Sequence, residues 1–394
     1  MELNYKLFEA GRLKYENEKS KEPFFVSDWD IDCLLTYSPV PIIEKSFVDS
    51  LNKVHEYSFI EDQNWIKNHI KYDSEKHVRI SPEFTLAPNG TAGLFLTLSH
   101  LSKNKQRFLL LIPSYYSIID TLEQLGQTYI YFSIHNDDFN DLLMDKIERE
   151  IKVQKITSLV ITDPIYCFGK SVSSEFIQSL ASICNKYNCW LVMDHNLGGL
   201  EWDSPQIVPI EKINAISKAE KFCFIDSLPK RLLVNGLKFT VVYGSKELIK
   251  GIEDLSSQIT GGFTSQQLHF AKELHLVENQ ELVLKMLNSN IQNIERNYQL
   301  LKSALIGSSL SLSAADSGYF CALEHQDFTF DEVNEYETFK KFLFDYDLLL
   351  LPTSYFTSAR EGKYSVRINL MKDFRPILHK LLEAVNNDFN FIKR

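Results

Sequence analysis

The chain has 394 residues, of which 44% are hydrophobic and 24% are charged, a composition typical of a soluble globular protein rather than a disordered chain. With 42 Lys and Arg against 52 Asp and Glu, the formal net charge is -10, which disfavours nucleic acid as a partner. The length is sufficient for two domains, and no segment has the ~20 consecutive apolar residues that a membrane helix needs.

The cysteines and the first residues bear on the cellular compartment. The six cysteines form no Cys-x-x-Cys pair, and six thiols in a chain of this length do not make a disulfide scaffold. Residues 1–22 are polar and charged and lack the apolar core of a secretion signal. We therefore expect a reduced, cytoplasmic protein that does not associate with a membrane.

Short apolar runs alternate with longer amphipathic stretches from Phe84 to Gly244. The runs are rich in Val, Ile, Leu, Phe and Tyr, as strands buried on both faces are. The predicted strands are Phe84–Ala87, Arg107–Ile112, Tyr129–Ile134, Ile156–Thr162, Trp190–Asp194, Lys221–Asp226 and Lys238–Tyr243. The helical patterns between them include Thr91–Leu101, Tyr116–Leu125 and Ser174–Tyr187. The alternation predicts an α/β domain, a mostly parallel seven-stranded sheet covered by helices.

After Tyr243 the pattern changes to long helices and separated strands, which predicts a smaller α+β domain. The predicted helices are Lys246–Leu255, Ser265–Leu305, Asp331–Phe344 and Phe374–Phe389, and the predicted strands are Gly318–Leu323, Leu348–Leu351 and Tyr364–Asn369. We place the large domain at residues 55–270 and the small domain at residues 1–54 and 271–394. The first 50 or so residues show few clear elements, and we expect them to pack against the small domain.

Candidate site residues follow the predicted strands, because ligands of parallel sheets bind beyond the carboxyl ends of the strands. The first strand runs into Pro88–Gly93, a turn of small residues before a helix, which is either a simple turn or a phosphate site. The fifth strand ends in Asp194, which is either a turn carboxylate or an anion that holds a cationic ligand. The sixth strand is followed by Lys230, which is either a surface charge or an amine nucleophile in a pocket.

In chain order these features resemble the fold-type I pyridoxal phosphate enzymes, in particular the aminotransferase class I/II family, over nearly the whole chain. Asn89-Gly90-Thr91-Ala92 is similar to the family's phosphate-binding turn, and Pro113-Ser114-Tyr115 to the segment whose aromatic ring stacks on the pyridine. Asp194 matches the carboxylate that pairs with the pyridine nitrogen.

Further segments extend the resemblance toward the end of the chain. Asp163–Lys170 stands where the family has Asn-Pro-x-Asn-Pro-Thr-Gly. Ser227–Lys230 and Gly236–Lys238 match Ser-x-Ser-Lys and the later Gly-x-Arg. Leu350–Phe356 and Val366–Asn369 match the strand pair of the small domain whose Arg binds the substrate carboxylate.

The resemblance implies an aspartate aminotransferase-like fold with pyridoxal 5'-phosphate as cofactor. Lys230 would hold the cofactor aldehyde as a Schiff base and move the α-proton, and Asp194 would keep the pyridine nitrogen protonated. Tyr115 would stack on the ring, and Arg367 would bind the substrate carboxylate through two hydrogen bonds. The other implied cofactor-binding residues are Gly90, Thr91, Ala92, Tyr166, Ser227 and Lys238.

Three positions depart from the family pattern. Tyr166 replaces the Asn that donates to the cofactor's phenolic oxygen, and Leu197 replaces the Tyr that donates to the same oxygen. Lys238 replaces the phosphate-binding Arg, which keeps the charge but not the planar fork of donors. These changes weaken the expectation of ordinary transamination without removing the cofactor, and Tyr166 is a candidate to replace one lost donor.

We therefore expect a pyridoxal phosphate-dependent aminotransferase that takes an α-amino acid and a keto acid and forms a homodimer with shared active sites. Tyr57 is the candidate for a phosphate contact across the dimer. One alternative is a lyase, decarboxylase or oxidase with the same fold and cofactor, and another is a cofactor-free descendant that binds a ligand or partner. We expect no metal site, because His195 has no partners at metal-ligand spacing, and we expect Arg360 to be a surface charge.

Overall fold

A computed structural model describes residues 2–29, 37–52, 64–70, 72–73, 78–79, 82–103, 106–134, 139–259, 262–357 and 362–388. Tyr57 and Arg360 lie outside these ranges, so their predicted roles stay predictions. No helix in the described part of the chain is both long and hydrophobic enough to cross a membrane. Five of the cysteines are buried free thiols, namely Cys167, Cys184, Cys189, Cys223 and Cys321.

The elements are numbered in chain order. The helices are α1 (Glu2–Lys19), α2 (Val40–Leu51), α3 (Asn64–Ile70), α4 (Gly90–Leu101), α5 (Tyr116–Gln124), α6 (Asp141–Gln154), α7 (Ser174–Lys186), α8 (Ile210–Ile216), α9 (Leu228–Arg231), α10 (Lys246–Ile259), α11 (Ser265–His275), α12 (Val277–Ala304), α13 (Glu335–Tyr346), α14 (Thr353–Thr357) and α15 (Phe374–Asp388). The strands are β1 (Phe24–Phe25), β2 (Tyr72–Asp73), β3 (Val78–Arg79), β4 (Glu83–Ala87), β5 (Arg107–Ile112), β6 (Thr128–Ser133), β7 (Ser158–Thr162), β8 (Trp190–His195), β9 (Phe222–Asp226), β10 (Thr240–Gly244), β11 (Leu310–Leu312), β12 (Phe320–Thr329), β13 (Leu348–Leu349) and β14 (Lys363–Asn369).

Seven strands form the large sheet in the order β4-β10-β9-β8-β7-β5-β6. Strand β10 is antiparallel to both of its neighbours, and the other adjacent pairs are parallel. The mostly parallel seven-stranded sheet predicted from the sequence is therefore confirmed. The carboxyl ends of β7, β8 and β9 lie side by side at one edge, which places Asp163, Asp194 and Asp226 close together.

The central strands are apolar throughout because helices cover both faces of the sheet. Alternate residues of one strand belong to different cores: Val192 of β8 packs with α4 and α5, whereas Leu191 and Met193 pack with α7 on the opposite face. Strands β7, β8 and β9 are buried at every position. This double burial explains why the sequence predicted the central strands to within a few residues; β6, which is exposed or half-buried along its length, was recognisable from its β-branched and aromatic residues.

The smaller antiparallel sheet has the order β11-β12-β14, and β1 pairs in parallel with β13. The expectation of few elements near the start was wrong, since α1, β1 and α2 occupy it. Phe8 of α1 stacks edge-on against Phe339 of α13, whereas α2 packs on α11, where Ser265 donates to the Ser50 carbonyl. The domain division at 54/55 and 270/271 stays a prediction; the second boundary lies inside α11.

The single helix predicted for Ser265–Leu305 is two helices, α11 and α12. Leu276 between them has extended backbone angles and is both the C-cap of α11 and the N-cap of α12. The Asn279 side chain donates to the Glu273 carbonyl at 2.8 Å, so this carbonyl is taken by a side chain at the point where α11 ends.

Candidate active site

A cavity of about 450 Å³ lies beyond the carboxyl ends of β7, β8 and β9. Its lining residues are Trp29, Asn89, Gly90, Thr91, Tyr115, Thr162, Tyr166, Asp194, Asn196, Leu197, Ser227, Pro229, Lys230, Val234, Asn235 and Lys238. Of the residues predicted from the sequence to bind the cofactor, all line this cavity except Ala92. The predicted substrate residue, Arg367, is buried behind the wall rather than part of it.

The N-terminus of α4 forms one wall of the cavity. Asn89 is the N-cap, and its side chain accepts a hydrogen bond of 2.9 Å from the amide of Ala92. A Cβ at Gly90 would lie 2.4 Å from the Asn196 side-chain oxygen, so only glycine allows this approach. The first amides of a helix have no partner within the helix and carry partial positive charge, which favours an anion here.

Asp194, at the end of β8, is the carboxylate of the cavity wall. Its Oδ1 accepts hydrogen bonds from the Asn196 amide at 3.2 Å and from Asn196 Nδ2 at 2.6 Å. Burial raises the pKa of Asp194, and the two bonds from Asn196 oppose this rise. No cation among the described residues lies at ion-pair distance, so this buried carboxylate is suited to a cationic ligand group.

Lys230 lies in α9, the short helix that follows β9. Its Nζ is 4.3 Å from the centre of the Trp29 ring and makes no hydrogen bond or ion pair within the described part of the chain. The pKa of Lys230 is lowered to about 8, mainly by burial and in addition by the charges of Lys238 and Arg367, while Asp194 acts in the opposite direction. Roughly a tenth of this amine is therefore neutral and nucleophilic at pH 7, against less than about a thousandth for an ordinary lysine.

Three aromatic rings meet on the side of the cavity toward the small sheet. The centroids of Tyr115 and Tyr166 are 5.3 Å apart, and Trp29 lies 6.2 Å from Tyr115 and 6.3 Å from Tyr166. Sequence reasoning missed Trp29, because its place depends on how the segment after β1 packs and not on a local pattern. It also missed Asn196, whose position two residues after Asp194 was the available signal.

Arg367 in β14 is fully buried. Its Nε and Nη2 both donate to the Ser27 carbonyl, with Nε at 2.9 Å, and its Nη1 donates to the Tyr166 hydroxyl at 3.2 Å. Three aromatic rings surround its Cζ, at 4.6 Å (Trp29), 4.1 Å (Phe320) and 3.3 Å (Phe356). Within the described ranges no carboxylate is within ion-pair distance of this guanidinium, and its charge opposes the rise that burial causes in the pKa of the Cys167 thiol.

Ser227, Lys238 and Leu197 complete the wall. The Ser227 hydroxyl donates to the Phe239 carbonyl at 3.1 Å, so its proton is engaged in this structure. Lys238 is exposed and adds a positive charge near Lys230. Leu197 contributes an apolar surface where the family pattern has a hydroxyl donor.

Comparisons with known proteins now bear on this cavity. The family model described as aminotransferase class I and II matches residues 44–376. The chain belongs to this family.

Solved structures of aminotransferases share the fold. An aspartate aminotransferase of Thermus thermophilus, a single mutant, superposes with a TM-score of 0.80 at 16% identity, over 96% of this chain and 95% of that one. A methionine aminotransferase of Escherichia coli gives a TM-score of 0.78 at 13% identity, over 98% of this chain and 97% of that one. These likenesses confirm the aspartate aminotransferase-like fold.

A cystathionine β-lyase of Corynebacterium glutamicum is 25% identical over 247 residues. The match covers 62% of this chain and 63% of the lyase, which is less than two thirds of the length of either protein.

Pyridoxal phosphate is the cofactor of this aminotransferase-family chain, and the cavity fits it. The N-terminus of α4 and the Lys238 side chain suit a phosphate, and the buried Asp194 suits a protonated ring nitrogen. Lys230 is an amine without a hydrogen-bond acceptor among the residues that the structure describes, which suits attachment to an aldehyde.

Proposed function

We propose that this chain is a pyridoxal phosphate-dependent aminotransferase that acts on an α-amino acid. The observation that carries the proposal is that the Lys230 amine and the Asp194 carboxylate line one cavity and that neither has an ion-pair partner among the described residues. A buried acid and a buried amine without partners are unfavourable unless a ligand completes them.

Lys230 is the proposed covalent and proton-transferring residue. Its pKa of about 8 leaves enough neutral amine at neutral pH to attack a carbonyl carbon. Once a substrate amine has displaced it, the freed Lys230 amine would act as the general base that takes the proton from the substrate α-carbon and as the acid that gives it back.

Asp194 is proposed to hold a proton on the ring nitrogen of the cofactor. A cation beside Asp194 stabilises the ionised carboxylate that burial alone disfavours, and the carboxylate in turn raises the basicity of that nitrogen. When bound, pyridoxal phosphate supplies an electron sink for the negative charge that develops at the substrate α-carbon. Asn196 fixes the carboxylate through its two hydrogen bonds.

Gly90, Thr91, Ser227 and Lys238 are the proposed phosphate-binding residues. Gly90 and Thr91 offer helix N-terminal amides, and Ser227 would turn its hydroxyl from the Phe239 carbonyl to the phosphate. Ala92 supports this site indirectly, since its amide is held by the N-cap. Two further residues of the cavity wall would complete the cofactor site, since the Tyr115 ring would stack on the pyridine and Tyr166 would offer a hydroxyl to the cofactor.

Arg367 is proposed to bind the substrate carboxylate. Its guanidinium offers a planar fork of donors that suits a carboxylate, and because the group is buried behind the cavity wall, this wall has to shift before a carboxylate can reach it. The Trp29 ring contacts both Lys230 and Arg367, so a substrate that reaches both must displace or stack on this ring.

The proposal includes a large domain at residues 55–270, a small domain from residues 1–54 and 271–394, and a homodimer with shared active sites. Family membership supports the dimer. Sedimentation velocity of the purified protein tests it, because a monomer at micromolar concentration would contradict shared sites.

The deciding experiment is amino-group transfer by the purified protein. We expect a visible absorbance band, and we expect that a panel of α-amino acids converts a keto-acid acceptor to its amino acid. Lys230→Ala should abolish the transfer, and Lys246→Ala, which removes an exposed lysine, should not. A protein that holds the cofactor on Lys230 and transfers no amino group from any amino acid would contradict the transferase reaction.

A β-elimination on a sulfur-containing amino acid is the second candidate, and the similarity to the cystathionine β-lyase favours it. It would use the same Lys230 and Asp194, because both reactions begin by removing the α-proton. The products distinguish the lyase from the aminotransferase. A lyase would convert cystathionine to a thiol, a keto acid and ammonia, and it would consume no acceptor keto acid.

A further inference from the structure

Six charged or titratable side chains pack together next to the cavity and form a buried group: Asp163, His195, Glu201, Lys212, Asp226 and Arg231. Each of four cavity residues has a member of this buried group as its neighbour in the sequence: Thr162 adjoins Asp163, Asp194 adjoins His195, Ser227 adjoins Asp226, and Lys230 adjoins Arg231. Along β8, successive side chains point to opposite sides, so Asp194 faces the cavity while His195 faces the buried group.

Lys212 of α8 is the centre of one half of the group. Its Nζ lies 2.6 Å from Asp163 Oδ2, 2.7 Å from Glu201 Oε1 and 2.8 Å from Ser171 Oγ. The lysine is 7% exposed and Asp163 is fully buried, so the charges are shielded from water. An ammonium in such surroundings requires both carboxylates.

Asp226 and Arg231 form the other half. Asp226 Oδ2 accepts from Arg231 Nη2 at 2.6 Å, and the same guanidinium donates to the carbonyls of Gly198 and Ile207 at 3.4 Å and 3.3 Å. Both side chains are buried. This pair connects the end of β9 with the helix that carries Lys230.

His195 lies between the two halves. Its Nδ1 is hydrogen-bonded to Asp226 Oδ1 at 3.0 Å, whereas its Nε2 is 3.4 Å from Asp163 Oδ2, which is within ion-pair distance but without hydrogen-bond geometry. The ring is fully buried. A Cβ at position 198 would lie 2.1 Å from Nε2, so Gly198 makes room for the ring.

Without a charge on His195, the buried group has more negative than positive charges. Three carboxylates (Asp163, Glu201, Asp226) face two permanent cations (Lys212, Arg231), which leaves one negative charge. A neutral imidazole would also turn a lone pair toward one of the two carboxylates that face its nitrogens.

We propose that His195 carries a proton on both ring nitrogens and balances the charge of this buried group. In this way it positions Asp194 and Lys230. His195 and its partners are positioning residues, since none of them lines the cavity. The inference rests on the proposed roles of Asp194 and Lys230. It also accounts for Asp163, which stands where the family pattern has Asn, because Lys212 and His195 both require a carboxylate there.

A metal ion is the rival explanation of the cluster. Ligand atoms of Asp163, His195 and Glu201 lie within 4.8 Å of one another. The Lys212 ammonium already contacts the two carboxylates at 2.6 and 2.7 Å, and it occupies the place that a cation between them would take. The structure therefore favours an internal cation.

The protonation of His195 can be tested on the wild-type holoenzyme. In protein labelled with ¹⁵N histidine, both ring nitrogens of His195 should resonate in the protonated range at pH 7.5, with His195→Gln as the assignment control. One nitrogen in the unprotonated range would overturn the proposal. This measurement does not depend on the stability of any variant.

The positioning role can be tested by a double-mutant cycle on the affinity of the holoenzyme for pyridoxal phosphate. His195→Gln removes the cation between Asp163 and Asp226. The two carboxylates then repel each other and separate the ends of β7 and β9, so the dissociation constant for pyridoxal phosphate should rise about tenfold or more. In an Asp163→Asn background this repulsion is absent, and His195→Gln should raise the dissociation constant less than about threefold.

Equal costs of His195→Gln in the two backgrounds would mean that the ring only fills space, and would overturn the positioning role. Glu148→Gln, which breaks an exposed contact with Lys186, is the matched control and should leave the affinity unchanged. If the wild-type protein carries no cofactor on Lys230, the proposed function fails, whereas the state of His195 is still decided by its nitrogen resonances.

Discussion

The Arg367 guanidinium donates from Nη1 to the Tyr166 hydroxyl at 3.2 Å, and this bond joins the small sheet to the cavity wall. Burial raises the pKa of Tyr166 well above its usual range, so the phenol stays protonated. Because the hydroxyl accepts from Arg367, its own proton is available to a group in the cavity. The residue that replaces the family's Asn therefore keeps a hydrogen-bond donor.

Replacing Arg367 by Lys tests the proposed carboxylate contact. Lysine cannot supply two parallel N–H groups, and its ammonium is poorly suited to the aromatic surroundings of Arg367. We expect KM for the amino acid to rise by roughly 10- to 100-fold with a smaller change in kcat. Steady-state kinetics would measure this, with Arg375→Lys on the surface as the control. An unchanged KM would place the carboxylate elsewhere.

Lys230 should take up the cofactor with a pH dependence set by its lowered pKa. Only the neutral amine attacks an aldehyde, so the rate of uptake by the apoprotein should rise with pH and level off above about 8. Borohydride reduction and peptide mass spectrometry should then find a pyridoxyl group on Lys230. Lys230→Arg should remove the label and Lys246→Arg should not; a label on another lysine, or a rate that still rises at pH 10, contradicts the assignment.

The sequence predicted the residues that lie at strand ends. Asp194, Ser227 and Lys230 follow apolar runs whose burial on both faces makes the strands recognisable, and parallel strands bring their carboxyl ends together. The order of the strands was not predicted, because the intervals in the chain do not encode it, and a role for Arg367 at the site was implied only by the family resemblance.

Contacts between distant segments were not predictable from local patterns. Trp29 and Lys230 are about 200 positions apart, and Asn196 meets Gly90 across the gap between β8 and α4. The buried charges of Lys212 and Asp163 look in sequence like ordinary surface residues, since no local feature shows which lysine meets which carboxylate. These contacts depend on side-chain packing after the sheet has formed.

Asp194→Asn should separate cofactor binding from catalysis. The amide has the shape of the carboxylate and still accepts from Asn196, but it cannot stabilise a positive charge on the ring nitrogen. We expect kcat to fall by at least about 10²- to 10³-fold, while cofactor affinity falls less because the phosphate contacts are intact. Asp203→Asn, at an exposed position nearby, is the control. Near-normal turnover of Asp194→Asn would exclude the proposed role.

Glu201 predicts how the stability of the fold depends on pH. Burial opposes its ionisation, but the Lys212 ammonium at 2.7 Å, together with His195 and a backbone hydrogen bond, outweighs burial and lowers the pKa of Glu201 to about 2. Because the usual pKa in an unfolded chain is about 4.3, the ionised carboxylate stabilises the fold above that pH, and this contribution is lost as the pH falls toward 2.

Glu201→Gln should therefore lower the free energy of unfolding at pH 7 by roughly 2 to 3 kcal/mol, and the difference from wild type should shrink as the pH falls from about 5 to 3. Urea unfolding at a series of pH values measures both quantities. Glu281→Gln, which removes an exposed partner of Lys285, should have little effect at any pH. A deficit of the same size at pH 3 and pH 7 would mean that Glu201 acts through its shape or its neutral hydrogen bonds, and that its charge does not support Lys212.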